Sequence, residues 1–123
     1  LDRLALPSES AALVVEGAGG VLVQLTDRLL MADLFAHWGV PVILCARTGL
    51  GTINHSLLSI EALRARGVPI AGIAFIGDPH AENEAIIPAI GRVASLGRLP
   101  HLDPLNAASL AAAFAAHIDL SPL

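Results

Sequence analysis

Apolar residues in this chain fall into short runs that alternate between two spacings, and the spacings predict the elements. Ala12 to Val15 is a brief apolar run that ends on a glycine-rich turn, the pattern of a buried strand delivering its C-terminal end to a site. Leu30 to Trp38 reads as a short helix. Val40 to Ala46, VPVILCA, is apolar at successive rather than alternate positions, which points to a central parallel strand covered on both faces, with Pro41 suited to its start. From Ile53 to Arg66 the spacing changes: Ile53, Leu57, Ile60 and Leu63 make one helical stripe. Thr52 stands at the N-cap, Arg64 and Arg66 lie where cations suit the helix dipole, and Gly67 is the stop. Pro69 to Ile76 is a second buried strand, and a turn at Gly77, Asp78 and Pro79 leads into a helix from Ala81 to about Ile90, weakened by Pro88. Gly91 to Leu99 returns a short strand, and a loop then reaches an alanine-rich helix from Asn106 to His117, capped by Asn106.

Strands that alternate with helices and lack polar faces predict an α/β fold, a mostly parallel sheet with helices on both faces and right-handed crossovers. No internal repeat and no long linker divides residues 1–123, so they read as a single α/β domain. Ligands of such sheets gather beyond the strand C-terminal ends. That rule sets four segments on one rim: the Glu16–Gly20 turn, the Arg47–Asn54 loop, the Gly77 turn and the Gly97–Leu102 loop.

Composition narrows the function classes. The chain is 54% hydrophobic, yet its apolar runs, such as PVILCA and AAAFAA, are far too short to span a bilayer. The opening LDRLALPSES lacks the basic start, apolar middle and small-residue cleavage site of a secretory leader, so a cytoplasmic protein without a membrane partner is expected. Cys45 is the lone cysteine and reads as a small core residue with no chemistry. The net charge is -4, and the seven basic residues, all arginines, are scattered, which argues against a nucleic-acid partner. With no lysine, residues 1–123 cannot offer the mobile point charge that phosphate-handling sites usually employ. This, with Leu rather than Met at position 1, points to a fragment or processed chain.

Two segments carry candidate chemistry. Glu16 emerges where the LVV run ends, and Gly17, Ala18, Gly19 and Gly20 follow with almost nothing but backbone. One carboxylate suits Mg²⁺, which keeps several waters and takes only one or two protein acids, while bare main chain can approach a bound phosphate. An exposed acid in an ordinary turn is the competing reading. No G-x-x-x-x-G-K-[ST] string occurs, so this turn is not a Walker A loop, and it is not a dinucleotide fingerprint. The second segment, RTGLGTINHS from Arg47 to Ser56, joins a strand to a helix N-terminus, a place that attracts anions. Asn54 is its stronger candidate; His55 reads as packing or solvated. His37, His80, His101 and His117 lack metal-ligand spacing, and there is no second Cys, so a histidine-built metal site is not expected. Trp38, beside Phe35, reads as an anchor for its helix, and Asp27 and Asp33 as caps or solvated charge.

The ordered series VVEGAGG, LTDRLLMADL, VPVILCARTGLGTINHSLLSIEALRARG, IAGIAFIG and LGRLP resembles the dethiobiotin synthase family over most of the chain. The resemblance implies a P-loop NTPase-like fold and an ATP- and Mg²⁺-dependent ligase of biotin biosynthesis. Such an enzyme carboxylates 7,8-diaminononanoate with CO₂ or bicarbonate and closes the ring of dethiobiotin. It implies that Glu16 holds Mg²⁺ and that Glu16, Gly17, Ala18 and Gly19 line the nucleotide phosphates. Ile76, Gly77, Pro100, His101 and Leu102 would lie against the base, and Gly20, Gly51 and Asn54 would meet the substrate. A homodimer is implied, in which the loop of one subunit receives the carboxylate of the diamine bound to the other. The family's P-loop, its catalytic lysines and its second magnesium carboxylate have no counterpart here, so this chain matches a C-terminal portion that is not expected to turn over alone and supplies no catalytic residue. Where many members carry an Asn after the strand, Phe75, Ile76 and Gly77 stand here, which implies looser nucleotide choice. The competing readings are a related cofactor-biosynthesis amidoligase and a catalytically incomplete α/β domain that binds an anion or a partner chain.

Overall fold

The computed structural model describes residues 4–8 and 12–123, so the opening stretch read for a leader falls partly outside it. Five strands and four helices follow in the order β1 (Gln24–Thr26), β2 (Leu29–Leu30), α1 (Met31–Trp38), β3 (Val42–Arg47), α2 (Thr52–Arg64), β4 (Ile70–Ile76), α3 (Ala81–Gly91), β5 (Ser95–Leu99) and α4 (Ala107–His117). The main sheet is three-stranded and parallel, in the order β3-β4-β5, with the helices packed around it. The α/β expectation is met. None of the described helices is long and apolar enough to cross a membrane.

The core lies between the sheet and helices α2 and α3. Ile73 and Phe75 of the middle strand are fully buried, with Ala46, Ile60 and Ile87 around them and Leu44, Ile53 and Leu57 at the margin. The predicted stripe of α2 is therefore the face that packs, and Ser56 on the same side is also buried. A second cluster, Ala32, Leu63 and Val68, ties α1 to the end of α2. Asp33 joins these helices through two oxygens: Oδ2 accepts from the Leu30 N–H at 2.8 Å and Oδ1 from Arg66 Nε at 2.7 Å. The Arg66 bond, then the Leu30 bond, hold its carboxyl below the usual range.

Several sequence expectations need correction. Ala12–Val15 is not a strand: the segment pairs with nothing among the described residues, and Leu13, Val14 and Val15 are exposed. A strand needs a ladder partner for its main-chain groups, and this run has none. β3 is an edge strand rather than a central one; β4 holds the middle, and Ile43 and Cys45 on the outer side of β3 are exposed. Continuous apolarity marks a strand whose faces are apolar and cannot by itself say whether both are covered. Gly51, not Thr52, occupies the N-cap of α2, and no side chain caps that helix. The last strand starts at Ser95, because Gly91 still belongs to α3 and Arg92 closes that helix in the left-handed region. Pro88 sits within α3 without ending it, since only about a turn of helix remains beyond it.

The antiparallel pair β1–β2 had no expectation attached. Asp27 lies in its turn and is exposed, the solvated charge of its two sequence readings rather than a helix cap. Asn106, by contrast, caps α4 as expected, accepting from the N–H groups of Ala108 and Ser109 at 3.0 Å each.

Candidate functional site

The C-terminal ends of the strands form the rim that the parallel topology predicts, and the site residues divide there into two groups. The first surrounds a cleft of about 250 Å³ between β3 and the N-terminal half of α2, lined by Gly19, Cys45, Arg47, Thr52, His55 and Ser56 among others. Pockets that enclose a whole small ligand run to roughly 300–1,000 Å³, so this cleft fits one part of a ligand. The glycine turn thus reaches the RTGLGT loop, as the sequence reading requires.

Glu16 is exposed and lies near enough to Cys45 for its charge to act on the thiol. Gly17 passes over α1, where an added Cβ would stand 3.0 Å from Phe35 Cζ, and Gly19 borders the cleft. Ala18 is exposed, and Gly20 has open space around it, its carbonyl taking the Val23 N–H at 3.1 Å. Gly51 begins α2, its carbonyl accepting from His55 N at 3.0 Å. No side chain caps α2, but the Thr52 N–H donates to the Gly49 carbonyl at 3.2 Å, so among the described residues the N–H groups of Ile53 and Asn54 are the ones available to an anion. Asn54 is exposed on the first turn outside the cleft lining, whereas His55, set aside on sequence grounds, is within it.

The second group centres on Gly77. Its φ of 127° is a backbone state closed to most side chains, and a Cβ there would meet Thr48 Oγ1 at 2.8 Å and His101 Nε2 at 3.6 Å. Ile76 and His101 are exposed beside it, with Pro100 and Leu102 half-buried. Thr48, buried, donates its N–H to the Ile76 carbonyl at 3.2 Å and so links this group to the loop of the first.

Sequence reasoning placed Arg47, Thr52 and Ser56 in a candidate segment without giving them a role at the site, and it missed Asn83 and Arg98 as supports of the Gly77 turn. A signal existed for Ser56, a small polar residue on the apolar side of an amphipathic helix. None existed for Asn83 and Arg98, whose partners lie 35 and 21 residues away.

Cys45 is solvent-accessible at the cleft, yet its thiol is pushed up, first by partial burial and then by the Glu16 carboxylate. A raised value means less thiolate at neutral pH, so Cys45 is expected to alkylate with iodoacetamide more slowly than a free cysteine. Glu16→Gln should speed the reaction; equal rates in the two proteins would separate Glu16 from this thiol.

Among the described residues no group of three or more His, Cys, Asp or Glu gathers as a metal cage. A single exposed carboxylate close to the cleft residue Cys45 nevertheless fits Mg²⁺ that is held mainly by phosphate and water.

Comparison with known proteins adds to this geometry. A model of the AAA domain family matches residues 1–109. The chain is 61% identical over 114 residues to the ATP-dependent dethiobiotin synthetase BioD of Rhodopseudomonas palustris (strain BisB18), covering 93% of this chain and 54% of that protein. It is 65% identical over 113 residues to the protein of the same name from Rhizorhabdus wittichii, covering 92% and 54%. For the Agrobacterium fabrum protein of that name the identity is 59% over 119 residues, covering 97% and 56%. The chain thus spans about half the length of the curated relatives it matches. With its parallel sheet and a family match over nearly its whole length, the chain belongs to the AAA domain family, and over that half it is similar to dethiobiotin synthetases.

Proposed function

We propose that this chain contributes part of the nucleotide and substrate site of an enzyme that converts 7,8-diaminononanoate, CO₂ and ATP to dethiobiotin, ADP and phosphate. One observation carries the reading: the Glu16–Gly20 turn meets the uncapped N-terminus of α2 across a cleft on the sheet rim. In the reaction one substrate amine takes up CO₂ as a carbamate, the carbamate oxygen receives the terminal phosphoryl group of ATP, and the second amine closes the ring as phosphate leaves.

Each residue's part follows from its place. Gly17, Ala18 and Gly19 present main chain to the phosphates, unobstructed by long side chains. Glu16 would hold Mg²⁺, which when bound offsets phosphate charge. Arg47 is the cleft's own cation. Ile76 and Gly77, with Pro100, His101 and Leu102, would lie against the nucleotide base; His101 stands close beside Gly77. Gly51 and Asn54 stand at the end of α2 whose free N–H groups suit a carboxylate, and Gly20, next to the cleft residue Gly19, would meet the same substrate. That carboxylate would come from diamine bound to a second subunit, which makes a homodimer part of the proposal. The cytoplasm is the compartment this reading requires, since it supplies ATP and bicarbonate. Residues 1–123 contain no lysine, so proton transfer and any lysine contact to the moving phosphoryl group fall to the rest of the intact protein.

The test is incorporation of labelled bicarbonate into dethiobiotin by the intact protein that carries this chain, supplied with diaminononanoate, ATP and Mg²⁺. Product that requires all three substrates is expected. A folded protein that yields none would remove the reading.

A further inference from the structure

The Gly77 turn is fastened by two side chains that the proposed reaction does not use. Arg98 of β5 donates from Nη1 to the Gly77 carbonyl at 2.8 Å, while its Nε stands 3.3 Å from Glu84 Oε1. Glu84 Oε1 also accepts from the His80 N–H at 2.8 Å, so the same carboxylate holds the far end of the turn. Asn83, buried on α3, donates from Nδ2 to the Thr48 carbonyl at 2.8 Å. The main chain adds Gly77 N–H to the Leu99 carbonyl at 3.0 Å and Thr48 N–H to the Ile76 carbonyl at 3.2 Å. Three strand ends and the start of α3 are therefore one connected hydrogen-bond network beneath an exposed surface made by Ile76 and His101.

We infer that Arg98 and Asn83 are positioning residues for the nucleotide base, fixing the Ile76–Gly77 main chain and the Thr48 loop in the arrangement that receives it. The inference rests on the proposed nucleotide site. Gly77 has no side chain with which to pack itself in place, and its φ of 127° confers no rigidity, so its carbonyl and N–H must be held from outside. Arg98 suits that task because its planar fork reaches a carbonyl and a carboxylate at once, which a lysine cannot do with the same geometry. The side chain is about four-fifths buried, so neither bond is readily replaced by water.

The experiment compares Arg98→Met, Arg98→Lys and Asn83→Leu with the parent in the intact protein. It reads ATP affinity by equilibrium titration, KM and kcat for each substrate, and thermal unfolding. Arg98→Met should raise the dissociation constant and KM for ATP about tenfold, the order of one charge-assisted hydrogen bond, with kcat and the KM for diamine within roughly twofold. Arg98→Lys should fall between the two, and Asn83→Leu should shift ATP affinity in the same direction. A merely structural role would lower the unfolding temperature and the active fraction while leaving ATP affinity in the folded protein unchanged; that result overturns the inference. Should Arg98→Met fail to fold, Arg98→Lys decides by the same readout. If the parent binds ATP but makes no dethiobiotin, the reaction reading falls while the titrations still judge Arg98. If the parent binds no ATP, both fall.

Discussion

Glu16→Gln in the intact protein is expected to lower the rate of dethiobiotin formation on the order of 10²-fold, the size of effect seen when one preorganised electrostatic contact is removed from a reacting phosphate or acyl centre. Gln keeps the shape and a hydrogen-bonding oxygen but removes the charge, so a loss isolates the electrostatic role. The substitution should not disturb folding, because Glu16 is exposed and lies outside every helix and strand. The Mg²⁺ concentration needed for half-maximal rate should rise in the variant, which separates a metal role from simple contact with substrate. Unfolding temperature should stay put. An unchanged rate and unchanged Mg²⁺ requirement would return Glu16 to the bland reading of an exposed acid in a turn. That reading also predicts faster alkylation of Cys45, since the thiol feels the carboxylate whatever its function. The thiol therefore reports proximity, and the rate reports chemistry.

Elements whose cues are local were legible in the sequence. The stripe of Ile53, Leu57, Ile60 and Leu63 packs as read, and Asn106 caps α4 through the bonds its residue type favours. Local cues stop at the sheet. VPVILCA announced a strand, but whether it is central depends on which chain lies at its outer edge, and that edge carries no pairing in the main sheet. LVV before Glu16 failed for the same reason: apolarity makes a strand possible, and a ladder partner makes it one. The candidate site shows the same division. The glycine turn and the helix start were visible as motifs and do come together, whereas the Arg98 and Asn83 supports depend on distances that no sequence spacing encodes.

The open edge bears on how the site is completed. Cys45 and Ile76 are exposed on or beside the rim, Ile43 is exposed near the start of β3, and the cleft runs along the C-terminal half of β3. A cleft of this volume, lined by a single arginine and no acid, accounts on the proposed reading for only part of a triphosphate site, and the chain spans about half of the relatives it matches. On the proposed reading, ATP affinity is therefore to be measured on the intact protein.

Gly97→Ala should be the most damaging single methyl that can be added to the main sheet, costing about 3 kcal/mol of stability from backbone strain and lost hydrogen bonds together. Gly97 has a φ of 102°, a conformation that side chains rarely adopt, and a Cβ built on it falls on the His117 carbonyl oxygen, well inside contact distance. The obstacle is backbone at the end of α4, so no rotamer change relieves it. Either β5 twists or the chain after α4 lifts away. Lifting breaks the bridge between Gly97 and Ile118 and the bond from the Asp119 N–H to the Leu96 carbonyl, 2.8 Å long, which together hold the end of α4 on the edge of β5. Twisting instead moves Arg98 off the Gly77 carbonyl and carries Pro100, His101 and Leu102 with it. The two responses are separable by measurement. Lifting lowers the unfolding temperature and leaves ATP affinity intact; twisting weakens ATP binding by at least as much as Arg98→Met. In LGRLP the glycine thus answers to a contact 20 residues away and holds open the strand end on which the proposed base slot is built. An alanine variant that matches the parent in both stability and ATP affinity would show that β5 and the end of α4 are not packed this closely.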